Sequence, residues 1–181
     1  MIYLILGVLL WSAAHLFKRL MPSVREGMGN GGRGAVAVAS LAALVLMVIG
    51  YRMADGPVFW GRTPMLAGLN NLLMLVAVYL FAASGMKTGI ARIIRHPMLT
   101  GLGVWSIAHI LPNGDLESLI LFGGLCLWAF VSARMISAAE GAWVKPDPAP
   151  ARKEIIAIVA SVVTYAAFAG VHYLFGVPAF G

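Results

Sequence analysis

The runs AVAVASLAALVLMVIGY (35–51) and NLLMLVAVYLFAASG (71–85) are apolar on every face of a helix, with no polar stripe to turn towards water. A helix of that kind must face lipid or a large protein core. With 181 residues, 61% hydrophobic and only 11% charged, the chain is too short to build such a core and too apolar to remain in water. A mean hydropathy of +0.90 agrees. The expected fold class is therefore an all-α integral membrane protein. Barrel strands are disfavoured because the apolar runs are continuous rather than alternating.

Six stretches approach the roughly 20 residues that cross ~30 Å of hydrocarbon: 2–18, 35–53, 64–85, 97–112, 115–136 and 155–176. The first and fourth are short. The expectation is a six-transmembrane-helix bundle forming one domain over residues 1–181. No signal peptide is visible, because the first charges, Lys18 and Arg19, follow the apolar stretch instead of preceding it.

Charge fixes the expected orientation. Lys18, Arg19, Arg25 and Arg33 follow span one; Lys87, Arg92 and Arg95 follow span three; Arg134, Lys145, Arg152 and Lys153 follow span five. Only Arg52 and Arg62 of the 13 basic residues remain for the other side. Basic loops stay in the cytoplasm, so both termini are expected outside, in the periplasm of a bacterial inner membrane. The same arithmetic supports span four, without which basic loops would fall on both sides. The net charge of +6 then reflects topology beside an anionic bilayer, and nucleic acid is not implied.

The polar chemistry left within the spans is mainly histidine. One cysteine, Cys126, excludes an internal disulfide and any cysteine-based zinc or iron–sulfur site. Two of the four histidines end the phrases WSAAH (11–15) and WSIAH (105–109). In each phrase the tryptophan lies one helical turn before the histidine, on the same face. At about 1.5 Å per residue, His15 lies ~20 Å along span one and His109 ~18 Å along the oppositely directed span four, both near the midplane. Their vertical offset of ~10 Å, from the same rise, suits two imidazoles facing one cofactor. His172 lies ~25 Å along span six. Imidazole suits haem iron, zinc and copper, and a lipid-embedded pair without thiolate or carboxylate partners favours haem. Trp11 and Trp105 would then pack on the porphyrin, and Lys18, Arg19 or Arg95 would meet its propionates. His96, before Pro97, reads as a helix-start residue.

Other readings stand beside this one. An intramembrane histidine also serves as a hydrogen-bonding group between helices, and tryptophans near span ends anchor the interface. The twin phrases admit an inverted duplication of three spans. Beyond GYRM (50–53) and SARM (132–135), which differ in spacing, the halves do not align. Asn70, Asn71 and glycines such as Gly101, Gly103, Gly123 and Gly124 fit a translocation path, or simply close helix packing. No buried acidic residue offers a cation relay.

The stretch RHPMLTGLGVWSIAHILPNGDLESLILFGGLCLW (95–128) resembles the core signature of the NnrU family, membrane proteins associated with nitrite and nitric oxide metabolism in denitrifying bacteria. The zeta-carotene isomerases of plants and cyanobacteria are relatives. Weaker likenesses are a histidine late in the first helix before a basic turn, the run TYAAF-x-x-x-H (164–172) and a terminal G-V-P. The resemblance implies b-type haem held by His15 and His109. From depth along the spans, His172 is the substitute ligand, and a cofactor nearer the outer face held by His109 with His172 is the structural alternative. The resemblance also implies a redox or accessory role, with nitrite or nitric oxide reductase components or a hydrophobic small molecule as partner. Ser106 stands where the isomerases carry a cysteine, so a thiolate switch of ligand is not available, and carotenoid isomerisation is the alternative reading. R-H-P followed by Gly101 also resembles membrane methyltransferases, whose second acidic and basic set is only half present here. A non-haem transporter or assembly factor is the remaining expectation.

Overall fold

A computed structural model describes residues 1–177 and 179. It is almost entirely helical. The long helices are α1 (Ile2–Leu20), α3 (Gly31–Arg52), α4 (Pro64–Met86), α7 (Gly124–Glu140) and α8 (Ala151–Leu174). Shorter ones are α2 (Pro22–Gly27), α5 (Pro97–Ile110) and the single turn α6 (Leu116–Ser118), which a π-turn (Leu119–Gly123) joins to α7. Helix starts follow local chemistry. Thr63 accepts the Leu66 N–H at 3.2 Å ahead of Pro64, and Asp115 accepts the Ser118 N–H at 2.7 Å. Helix α4 ends where Lys87 takes a left-handed conformation, φ 53°.

Five helical segments are long and apolar enough to cross a membrane: residues 2–20, 31–52, 64–86, 116–140 and 151–174. The fourth expected span, α5, has 14 residues, or roughly 21 Å of helix. Proline at its start and the Leu111–Asn113 turn at its end confine it. It does not stand alone in lipid: α5 packs against α4 on one side and α7 on the other. Much of the surface is apolar and open, with Val38 at 70% and Leu72 at 61% exposure, as expected where hydrocarbon is the solvent.

Packing runs α3–α1–α7–α5–α4–α8. Small residues set the closest approach. Gly7 lies against the Met47 N and Ala43 O of α3, where an added Cβ would sit 2.8 and 2.9 Å away, and Gly50 lies against Leu4. Leu4, Val8, Ala43, Met47 and Leu125 form the buried core of this seam, with Trp11 and Trp105 packed on it. At one end of the bundle a two-stranded antiparallel pair joins β1 (Val58–Trp60) to β2 (Gly114–Asp115). Trp60 Nε1–H donates to the Leu111 carbonyl at 2.9 Å, and Gly114 lies directly beneath the Trp60 ring. At the opposite end, Arg95 meets Glu140 at 3.6 Å and donates to the Gly141 carbonyl. There Glu154 accepts the Gly89 N–H, tying α8 to the 3₁₀ turn Gly89–Arg92.

Candidate functional site

Near the β-paired end, α3, α4, α5, the π-turn and α8 enclose a chamber of about 300 Å³. His109 and His172 both line it, with ring centroids 6.4 Å apart. Each is held by its own helix: His109 Nδ1–H donates to the Trp105 carbonyl at 2.9 Å, and His172 Nδ1–H to the Phe168 carbonyl at 2.7 Å. A carbonyl only accepts, so Nδ1 carries a proton in both rings, and in the neutral imidazole Nε2 is then the lone pair. That is the tautomer in which an imidazole binds a metal through Nε2. Asn113 Nδ2 caps the His109 carbonyl at 2.8 Å, fixing the end of α5.

The π-turn supplies the third side. One extra residue in that turn carries Phe122 inward, and its buried ring stacks on His109 at 4.7 Å and 28°. Trp105 flanks the pair, 4.7 Å from His109 and 5.0 Å edge-on to Phe122. The ring of His109 is thus fixed by one hydrogen bond and two aromatic neighbours. Tyr51 lines the chamber from α3, its hydroxyl bonded to the buried Ser118 hydroxyl at 2.8 Å.

His15 has a different setting. Its Nδ1–H donates to the Trp11 carbonyl at 2.9 Å, repeating the device of the other two histidines. Its ring lies 4.1 Å from Trp11 and 5.2 Å edge-on to Trp128, in an aromatic box between α1 and α7. It is not among the residues lining the chamber. Each twin phrase therefore does bring its tryptophan onto its histidine, whereas the structure brings His109 onto a common cavity with His172. Among the described residues there is no group of three or more histidine, cysteine or acidic side chains able to cage a metal.

Sequence reasoning missed Phe122, Tyr51 and Trp128, and read Asn70 and Asn71 as part of a translocation path or as groups that bond across packed helices. The two asparagines were visible as adjacent amides inside an apolar run. Nothing local marked Phe122, because a π-turn is set by the packing around it. At the basic end, His96 Nε2 and the Ser137 hydroxyl are hydrogen-bonded at 2.8 Å. Burial, and next the Arg95 charge, hold the His96 pKa below the ordinary histidine value.

Comparison with curated proteins and with solved structures found no match. The family model described as NnrU protein matches residues 3–179, nearly the whole chain, and so spans every element that builds the chamber. This chain belongs to the NnrU family.

Proposed function

We propose that this chain is a six-span bacterial inner-membrane protein that binds b-type haem through histidine imidazoles. In this reading it serves nitrite and nitric oxide metabolism as a redox or accessory factor. The observation that carries the reading is the pair His109–His172. The two rings line one chamber with centroids 6.4 Å apart, so both could hold a single group bound there. With each Nδ1–H committed to a carbonyl, Nε2 is the ring atom that each neutral imidazole would offer. His109 and His172 are therefore the residues that would hold the haem, ahead of His15 with His109.

The chain's own residues do the holding. The Trp105 and Phe168 carbonyls orient the two imidazoles through the Nδ1–H bonds. Phe122 restrains rotation of His109. Bound there, haem would supply one-electron chemistry. With α5 as a short sixth span sheltered between α4 and α7, both termini would face the periplasm and 11 of 13 basic residues the cytoplasm. The nitrogen-oxide context comes from the family resemblance alone.

Absorption spectra, oxidised and dithionite-reduced, of protein purified from haem-replete cells test the reading. The wild type should show a sharp Soret band with reduced α and β bands. His109→Ala and His172→Ala should lose or shift it, and His15→Ala should keep it. Loss in His15→Ala with retention in His172→Ala would move the axial pair to the twin phrases. Absence of haem from the wild type would end the haem reading.

A further inference from the structure

A second cavity adjoins the chamber. It is an apolar crevice of about 380 Å³, formed by Leu44, Met47, Val48, Trp105 and Leu125. Tyr51 and Leu121 line both spaces and are their common wall. On the crevice's outer side Leu44 and Val48 are exposed, 46% and 57%, on the lipid-facing surface of α3. The crevice therefore opens to hydrocarbon, and its inner end meets a polar, aromatic chamber.

Arg62, Tyr51, Tyr165 and Asn113 bring donors to the chamber lining, yet one buried acceptor on its α4 wall is left over. Asn70 Nδ2 donates to Asn71 Oδ1 at 3.2 Å, while Asn70 Oδ1 is buried with no donor among the described residues. An orphaned acceptor at membrane depth carries a desolvation penalty that a ligand hydroxyl would relieve. Phe122 and Phe168 add aromatic faces to the same space. The occupant that fits has an O–H donor on a flat aromatic head and an apolar tail, and it arrives from the bilayer.

We propose that chamber and crevice together bind a quinol, with one head hydroxyl donated to Asn70 and the tail lying past Tyr51 along α3. The inference shares the chamber with the haem reading but uses another wall: Asn70 belongs to α4 and Tyr51 to α3, whereas the imidazoles belong to α5 and α8. The claim is binding, and no electron transfer is invoked.

The test uses the full chain in phosphatidylcholine nanodiscs, titrated with decylubiquinol, decylubiquinone and tail-less duroquinol. Tryptophan quenching reports binding, with Trp105 on the crevice wall and empty nanodiscs giving the partition background. Decylubiquinol should bind saturably, and about 3- to 10-fold tighter than the quinone, the worth of one net hydrogen bond. Asn70→Leu should abolish that preference. Val48→Trp, on an exposed position, should fill the crevice and weaken decylubiquinol at least tenfold while leaving duroquinol unchanged. Non-saturable quenching, equal affinity for both redox forms, or indifference to both substitutions would overturn the proposal. The Soret band of the same samples reports the haem site separately, so either reading can fail without the other.

Discussion

Gly50→Ala tests the packing that places Tyr51, its neighbour, on the chamber. A Cβ built at Gly50 lies 2.6 Å from the Leu4 Cα and closer still to the Leu4 backbone nitrogen. Ordinary carbon–carbon contact is about 3.5–4.0 Å, so α1 and α3 must part by roughly 1 Å. Neither obstacle is a flexible side-chain tip; both are backbone. A gap of 0.5–1 Å forfeits about a quarter to a half of each dispersion contact along the seam, where Leu4, Ala43 and Met47 are buried. Overpacking of this kind costs about 1–3 kcal/mol. Gly34, in the same helix, has nothing within 4 Å of its built Cβ, so alanine there should stabilise by about 0.5–1 kcal/mol through propensity alone. One substitution at two sites of α3 should thus give opposite signs. Equilibrium unfolding by dodecyl sulfate titration in mixed micelles, followed by circular dichroism, measures both. Shifts of the same sign and similar size would refute the close α1–α3 seam.

At the basic end, His96 has a folded-state pKa below its unfolded value, through burial and then the Arg95 charge, with Arg19 adding and Glu140 opposing. The folded state then binds fewer protons than the unfolded one, so this group's stabilisation is present above about pH 6.5 and is lost as pH falls through the folded pKa. The melting temperature should fall on acidification from pH 7.5 to 5, and His96→Gln should flatten that slope; an unchanged slope would remove His96 as the cause. At the other end, Trp60→Phe deletes the donor to the Leu111 carbonyl and should cost about 0.5–1.5 kcal/mol. Hydrogen exchange should rise around residues 112–115, and unaltered protection there would count against the β pair as the clasp of the α5–α6 turn.

The apolar runs at 35–51 and 71–85 made a membrane fold legible from sequence, because burial in lipid depends on composition and needs no partner. The same independence made Pro97 readable as a helix start and Trp11 and Trp105 as neighbours of His15 and His109, one turn away. Asn70 and Asn71 were conspicuous as polar residues in an apolar run, but their shared cavity was not. Family membership was readable in residues 95–128, where a long contiguous stretch carries the signature.

Which histidines share a space could not be read that way. Depth along each helix follows from the rise per residue, but azimuth and neighbour follow from how six helices pack. His15 and His109 are both expected near the midplane, yet α1 turns His15 onto Trp128 of α7, while α8 brings His172 to 6.4 Å from His109. The length of α5 is also a tertiary matter: its 14 residues are sheltered between α4 and α7. Phe122 reaches His109 only through a π-turn, a local departure that its own residues do not announce. Sequence determined the solvent of this chain, its helices and its family; the packing of small residues at Gly7, Gly50 and Gly101 decided which faces meet, because contact distance is a property of two helices together.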